Sequence, residues 1–177
     1  MAYTYHVGID LHKEFGYWTV LNNEKQVLLK KKVPTETVAV RQAVEALGYP
    51  KGEVQCAIEP VSQWGWYSDL LQKEGLHVKL VDTYKSKLIA GTRLKNDKVD
   101  SRILAELLRS DFLPEAYLAP KETRDLRELL RWRIFLVRLR ARIKNRIHAI
   151  LAYHGLCYPR TDVFGKDGRR WLAAQAL

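Results

Sequence analysis

The first third of the chain has the hydrophobic pattern of β-strands. Residues 5–10 form a short, mostly apolar run, and residues 15–21 are rich in aromatic and β-branched side chains. Residues 22–25 have the composition of a turn, and a third strand-like run follows at 26–33. The pattern predicts three consecutive antiparallel strands.

Helical and strand-like segments then alternate. Apolar residues at helical spacing between 38 and 47 predict a helix that ends at Gly48, and residues 53–59 predict a strand. A helix at about 64–73, a strand at 76–81 and, after a polar loop with a short helix at 82–96, an amphipathic helix from Asp97 follow. This order predicts an α/β fold with a mixed five-stranded sheet and helices on its faces.

The pattern changes again after Pro120. Apolar residues recur at gaps of three and four residues, which is typical of a helical hairpin or coiled coil. We therefore predict a domain at 1–118 and a basic helical arm at 119–177, with residues 115–119, between Pro114 and Pro120, as the connector. The seam of the arm consists of Leu129, Trp132, Leu136, Leu139, Ile143, Ile147 and Ile150.

Charge indicates the class of partner. The chain has 30 Lys and Arg against 20 Asp and Glu, for a net charge of +10. Between Lys121 and Ile150 there are ten basic and three acidic residues, so +7 of that charge lies in this one segment of the arm. Such a concentration favours a polyanionic partner such as nucleic acid.

Cysteine content and hydropathy restrict the environment. Cys56 and Cys157 are the only cysteines, and neither belongs to a CxxC pair, which argues against a zinc ribbon and a disulfide scaffold. No apolar run approaches the roughly 20 residues of a membrane span, and the N-terminus does not resemble a signal peptide. We expect a cytoplasmic protein that does not enter a membrane.

Four carboxylates lie at the predicted ends of these elements. Asp10 and Glu59 end the first and fourth strands, and Asp97 and Asp100 begin a helix with a spacing that puts both on one face. Each alone could be a helix cap or half of an ion pair. In the RNase H-like fold, which this order of elements resembles, strands one and four are neighbours beside the last helix, so the four acids would meet at one edge. Oxygen ligands in such number suit a hard divalent cation and phosphodiester chemistry.

Three motifs around these acids resemble one family. VGIDLHK at 7–13, AIEP at 57–60 and KNDKVDSR at 95–102 are similar to the N-terminal half of the DEDD-type insertion-sequence transposases of the IS110 group, the bridge-RNA-guided recombinases. The resemblance covers about residues 5–155, a RuvC-like domain followed by a coiled-coil arm.

The resemblance implies a DNA strand cleavage and exchange activity. The acidic active-site residues would be Asp10, Glu59, Asp97 and Asp100, binding Mg²⁺, for which Mn²⁺ could substitute. DNA, a guide RNA and further copies of the chain through the arm are the implied partners. The family also has a serine nucleophile on a C-terminal domain. We assign that role to none of the serines at 62, 68, 86, 101 and 110, and we expect the 177 residues to be a fragment that ends before such a domain.

Basic residues in two regions are candidates for nucleic-acid contact, because Lys and Arg bind phosphates well. Near the carboxylates these are Lys13, Arg93, Lys95 and Lys98, and on the arm they are Arg131, Arg138, Arg142 and Lys144. Any one of them could instead serve solubility.

Other functions remain open from the residues alone. An actin-like ATPase also begins with a strand ending Val-Gly-Ile-Asp, but it needs Gly-rich phosphate loops that the segments after Glu59 and Val81 lack. A proofreading-type exonuclease would need an acid where His12 stands. The third alternative is a non-catalytic module that binds nucleic acid and oligomerises.

Overall fold

The computed structural model describes residues 3–85 and 97–175, except for the side chains of 97–99. The chain divides into two compact units, Met1–Ala119 and Pro120–Leu177. In the first unit the described helices are α1 (Thr37–Leu47), α2 (Trp64–Lys73) and α3 (Asp97–Arg109). A short 3₁₀ turn at Lys51–Glu53 precedes the fourth strand.

A mixed sheet is the centre of this unit. Its strands stand in the order β3-β2-β1-β4-β5-β6, so that β1 pairs antiparallel with β2 and parallel with β4. The predicted meander, and the neighbouring first and fourth strands, are confirmed. The strands are β1 (Tyr5–Leu11), β2 (Phe15–Asn22), β3 (Val27–Pro34), β4 (Val54–Ile58), β5 (His77–Val81) and β6 (Glu115–Ala116).

The expected count of five strands is wrong. Glu115 and Ala116, in the predicted connector, pair antiparallel with Val81 and Leu80 and add a sixth strand at the edge. An ion pair between Lys79 of β5 and Glu115 holds this strand. Two residues are too few to produce a visible alternation of apolar and polar side chains, which is why the pattern does not reveal β6.

The two faces of the sheet have different coverings. Side chains alternate between faces along a strand. Val7, Ile9 and Leu11 of β1 therefore join the main core with Tyr67 and Leu71 of α2. His6, Gly8 and Asp10 point to the other face, which α3 covers.

Helix α3 lies unusually close to the sheet at Gly8. A Cβ atom at that position would be 1.9 Å from the backbone oxygen of Ser101 and 2.5 Å from the backbone nitrogen of Ala105. Ser101 is buried, and its hydroxyl lies 2.8 Å from that of Thr19, which pairs with Gly8 across β1 and β2. The missing side chain at Gly8 thus allows helix and sheet to touch through backbone.

Two contacts define the direction of α3. Ser101, near its start, lies over Gly8, while Arg109, at its end, donates a hydrogen bond from Nη1 to the backbone oxygen of Asn23 at 3.3 Å. Asn23 follows the end of β2 that pairs with Tyr5, the first residue of β1. Helix α3 therefore runs antiparallel to β1, and its N-terminus points toward the end of β1 that contains Asp10.

The second unit contains a long helix and a short one. Helix α4 spans Lys121–Tyr153 and α5 spans Lys166–Ala173. Leu151 and Val163 are buried where the end of α4 meets the segment before α5. Most of α4 is exposed, including the predicted seam residues Leu129, Trp132 and Leu136. In the part of the chain that the structure describes, no helix has the length and hydropathy of a membrane span.

Replacing Gly8 by Ala should separate α3 from the sheet. The added methyl group overlaps rigid backbone, so we expect the free energy of unfolding to fall by about 3 kcal/mol or more, at the upper end of overpacking costs. Gly52→Ala is the control, since a Cβ there meets nothing within 4 Å. Denaturant unfolding of the two variants measures the difference, and equal stability would contradict the backbone contact.

A buried hydrogen-bond network connects β1, β4 and the end of β2. Gln55 Nε2 donates to His6 Nδ1 and His6 Nε2 donates to Asn23 Oδ1, each at 2.8 Å. Burial, opposed by the bond to Asn23 and reinforced by the charge of Arg109, lowers the pKa of His6. The imidazole is therefore neutral in the folded protein at neutral pH.

Stability should consequently depend on pH through His6. A pKa lowered in the folded state means that the unfolded chain binds the proton more readily. The stability that depends on neutral His6 is fully present above about pH 6.5, the ordinary pKa of histidine. It is lost as the pH falls from there toward the lower pKa that His6 has in the folded protein. The difference between the unfolding free energies at pH 7.5 and at pH 5.5 should be smaller for His6→Gln than for the wild type. A wild-type loss of stability that His6→Gln fully retains would exclude His6 as its source.

Candidate active site

Two of the predicted carboxylates are neighbours at one end of the sheet: Asp10 lies on β1, and Glu59 directly follows β4. Ile9 of β1 pairs with Ile58 of β4 in parallel register, so Asp10 and Glu59 are the next residues of adjacent chains. Parallel strands are about 4.8 Å apart, so the backbones of the two residues are neighbours at this end of the sheet, and the side chain of Asp10 belongs to the face that α3 covers. Asp10 is half-buried, with 14% of its side chain exposed, and Glu59 is also partly buried.

The start of α3 reaches the same edge. Ser101 lies over Gly8, and the helix rises about 6 Å over the four residues back to position 97. Two residues of β1 cover nearly the same distance from Gly8 to Asp10. The backbone at position 97 is therefore level with Asp10, while Asp100, only one residue before Ser101, lies closer to the level of Gly8. Asp100 is partly buried, while the side chain of Asp97 lies outside the described residues. We call the end of the sheet with Asp10, Glu59 and Asp100 the carboxylate edge.

The edge has the donor chemistry of a divalent-cation site without an assembled cluster. The described side chains include no group of three or more His, Cys, Asp or Glu residues that could hold a metal ion. The side chain of Asp97 is not among those tested. Carboxylate oxygens from two strands and a helix are the hard ligands that Mg²⁺ prefers. The residue types thus fit the ion, with Asp97 as the further ligand that the sequence predicts.

Asp10 is held by a neighbouring histidine that the sequence analysis did not propose for the site. His12 Nε2 lies 2.9 Å from Asp10 Oδ2, and the imidazole packs against the ring of Phe15 at 4.7 Å between centroids. The backbone of His12 is fixed by Phe15 and by the hydroxyl of Thr35. The DLHK motif of 10–13 therefore forms a rigid turn that orients the carboxylate.

The loop after Glu59 is connected to this turn. Gln63 Nε2 donates to the backbone oxygen of Lys13 at 2.9 Å. Lys13, predicted to contact nucleic acid, is exposed next to the carboxylate edge. Of the other predictions near the site, Arg93 and Lys95 lie outside the described residues, as does the side chain of Lys98.

The opposite face of the sheet is a neutral core. Trp18 Nε1 donates to the hydroxyl of Tyr67 at 2.9 Å, and both side chains are fully buried. Burial raises the pKa of Tyr67 and that of the Cys56 thiol, so both groups remain protonated.

The arm residues belong to the second unit. Arg131, Arg138 and Arg142 follow one side of α4 and, together with Ile134, Phe135 and Leu139, line a shallow groove. Arg131 also lies 3.7 Å from Glu128. Lys144 is less accessible, because its Nζ lies over the ring of Phe164 at 4.6 Å. The groove combines exposed cations with apolar surface.

A comparison with protein-family models gives a match over most of the chain. The model of the DEDD transposases of the IS110 type, described as a transposase, matches residues 7–154. No curated protein shows a significant match to the chain. Because the family model covers most of the sequence, the chain belongs to this transposase family.

Proposed function

We propose that this transposase chain cuts DNA with a divalent metal bound at the carboxylate edge. The observation that supports the proposal most is that Ile9 and Ile58 pair on parallel strands, so that Asp10 and Glu59 follow side by side, with the start of α3 at the same level. Asp97 and Asp100 would supply the remaining acids. Mg²⁺ is the ion that we propose, with Mn²⁺ as a substitute.

The residues would act by binding and orientation. Cleavage forms a P–O bond to an incoming hydroxyl oxygen and breaks the bond to the leaving oxygen, which takes up a proton. Mg²⁺, when bound, would neutralise phosphate charge and polarise a phosphoryl oxygen. Asp10, Glu59, Asp97 and Asp100 would hold it. His12 would keep the Asp10 carboxylate oriented, and Lys13 would contact a phosphate next to the edge.

The arm would bind nucleic acid and further copies of the chain. Its exposed arginines suit phosphate contact, and its exposed apolar seam suits pairing with another helix. Guidance by an RNA, a serine nucleophile from another domain and a cytoplasmic location follow from the family resemblance or from composition, and these stay predictions.

Removing carboxylates should weaken metal binding. We expect Asp10→Asn together with Asp97→Asn to reduce Mg²⁺ or Mn²⁺ affinity at least about 10-fold, since each ligand lost removes charge-assisted coordination. Glu45→Gln is the matched control, because Glu45 is exposed on α1 on the other side of the sheet. Calorimetric titration measures the affinities. Equal affinity of the double variant and the control would exclude the carboxylate edge as the metal site and favour a non-catalytic module.

Neutralising one side of α4 should weaken DNA binding for every sequence. With Arg131, Arg138 and Arg142 replaced by Gln, we expect the slope of log affinity against log salt to fall by about 2 to 3, because each lost phosphate contact removes nearly one released counterion. Fluorescence anisotropy at several salt concentrations measures the slope.

The control removes the same charge from arginines that do not lie on this side of α4. Arg41, Arg160 and Arg170 each lie within 4 Å of a carboxylate in the chain, at distances of 3.0, 3.2 and 3.8 Å. Their replacement by Gln should change the slope little. If both triple variants behave alike, the arm has no specific role in phosphate contact.

A further inference from the structure

The edge strand β3 contains three consecutive lysines, of which Lys32 lies in register with Asp10. Lys32 pairs with Tyr17 of β2, and Tyr17 pairs with Asp10 of β1. Lys32, Tyr17 and Asp10 thus form one row across the sheet, on the face that α3 covers. Glu59 follows β4 at the same end of the sheet. Lys30 pairs with Thr19, whose hydroxyl contacts Ser101 of α3, so Lys30 belongs to the same face.

Lys31 belongs to the opposite face. It pairs with Trp18, which is buried in the core formed with α1 and α2. Lys30, Lys31 and Lys32 are all exposed. Lysines on an edge strand also prevent pairing with other sheets. All three lysines can have that role, whichever face of the sheet they lie on. A difference in DNA binding between variants of Lys31 and variants of Lys30 or Lys32 would therefore indicate a further function of the face that α3 covers.

Aromatic contacts connect this row to the site. Lys32 Nζ lies 3.6 Å from the centroid of the Phe15 ring, and the same ring packs on His12, which contacts Asp10. An ammonium group over a ring retains N–H donors for other partners. Lys32 is therefore held beside the site with donors available for a phosphate.

The local charge favours a polyanion. Between residues 25 and 35 there are four lysines and no acidic residue. Lys30 and Lys32 are two residues apart on a strand, about 6.6 Å, and cross-strand spacing puts the backbone of Lys32 about 10 Å from that of Asp10. A single strand that follows these lysines is thus led toward the carboxylates. Phe15, whose ring contacts Lys32 and His12, lies on the same face as the partly exposed Tyr17, and a base can stack on the Tyr17 ring.

We infer that this surface, consisting of Lys30, Lys32, Phe15 and Tyr17, is the lysine track along which the DNA strand to be cut reaches the carboxylate edge. The inference rests on the proposed nuclease function and adds the path of its substrate. Continuity with the acids favours the cleaved DNA strand over a guide RNA.

The test compares DNA binding by variants of lysines on the two faces of β3. The variant Lys30→Gln with Lys32→Gln should bind a single-stranded DNA oligonucleotide at least about 5-fold more weakly at 0.1 M salt. Its salt slope should be about 1.4 lower, the value for two phosphate contacts on a single strand. Lys31→Gln should remain within about twofold of the wild type. Equal effects of Lys31→Gln and Lys32→Gln as single variants would overturn the track.

A crosslinking experiment provides an independent measurement. Cys56 is buried and Cys157 is exposed, so Cys157→Ser leaves no accessible thiol among the native cysteines. On that background, a short photo-crosslinker on Lys32→Cys should capture the DNA oligonucleotide several-fold more than one on Lys31→Cys. Preferential capture of an RNA of the same sequence would assign the surface to a guide RNA and overturn the inference.

The outcomes separate this inference from the proposed function. Mg²⁺ affinity should be unchanged in the Lys30 and Lys32 variant. Normal metal binding with unchanged DNA binding would refute the track and leave the metal site standing. Failure of the wild-type chain to bind Mg²⁺ while the lysine variants still lose DNA affinity would refute the metal site and keep the track.

Discussion

The close contact between α3 and β1 at Gly8 determines the geometry of the first unit. Backbone meets backbone there, because a Cβ atom would lie 1.9 Å from the Ser101 oxygen. That contact fixes the height of the helix over the sheet, and the hydrogen bond from Arg109 to Asn23 fixes its direction. As a result the first turn of α3 stands level with Asp10. A helix held farther away would leave Asp100 remote from the two strand carboxylates.

The same face organises charges of both signs. Alternation along β1, β2 and β3 puts Asp10, Tyr17 and Lys32 in one row, while the other face holds Trp18 and Tyr67 in a neutral core. Acidic residues at the centre of the sheet and lysines at its edge are the arrangement that a metal-dependent site for a polyanionic strand needs, since metal ligands and phosphate contacts must be neighbours without neutralising each other. His12 and Phe15 fill the space between the two sets.

Much of this could be predicted from the sequence, for physical reasons that differ by element. The short apolar run at 5–10 and the aromatic and β-branched residues at 15–21 identified β1 and β2, and the turn at 22–25 made β2 and β3 consecutive, so their pairing followed. The helix predicted at about 64–73, before Gly75, is α2, which spans Trp64–Lys73. Glu115 and Ala116 could not be assigned, since β6 exists only by pairing with β5. The contact between His12 and Asp10 depends on the conformation of a three-residue turn, which no periodicity describes.

By itself, the sequence determined the kinds of elements, the acids at their ends and the basic, apolar pattern of the arm, because these depend on local spacing. Membership in the transposase family likewise follows from residues 7–154 alone. Only the tertiary structure decided which groups are neighbours: Asp10 beside Glu59, α3 against Gly8, and Lys30 and Lys32 on the side of the acids with Lys31 on the other. These are long-range relations set by strand register and helix packing, and a shift of one residue in register would have exchanged the faces.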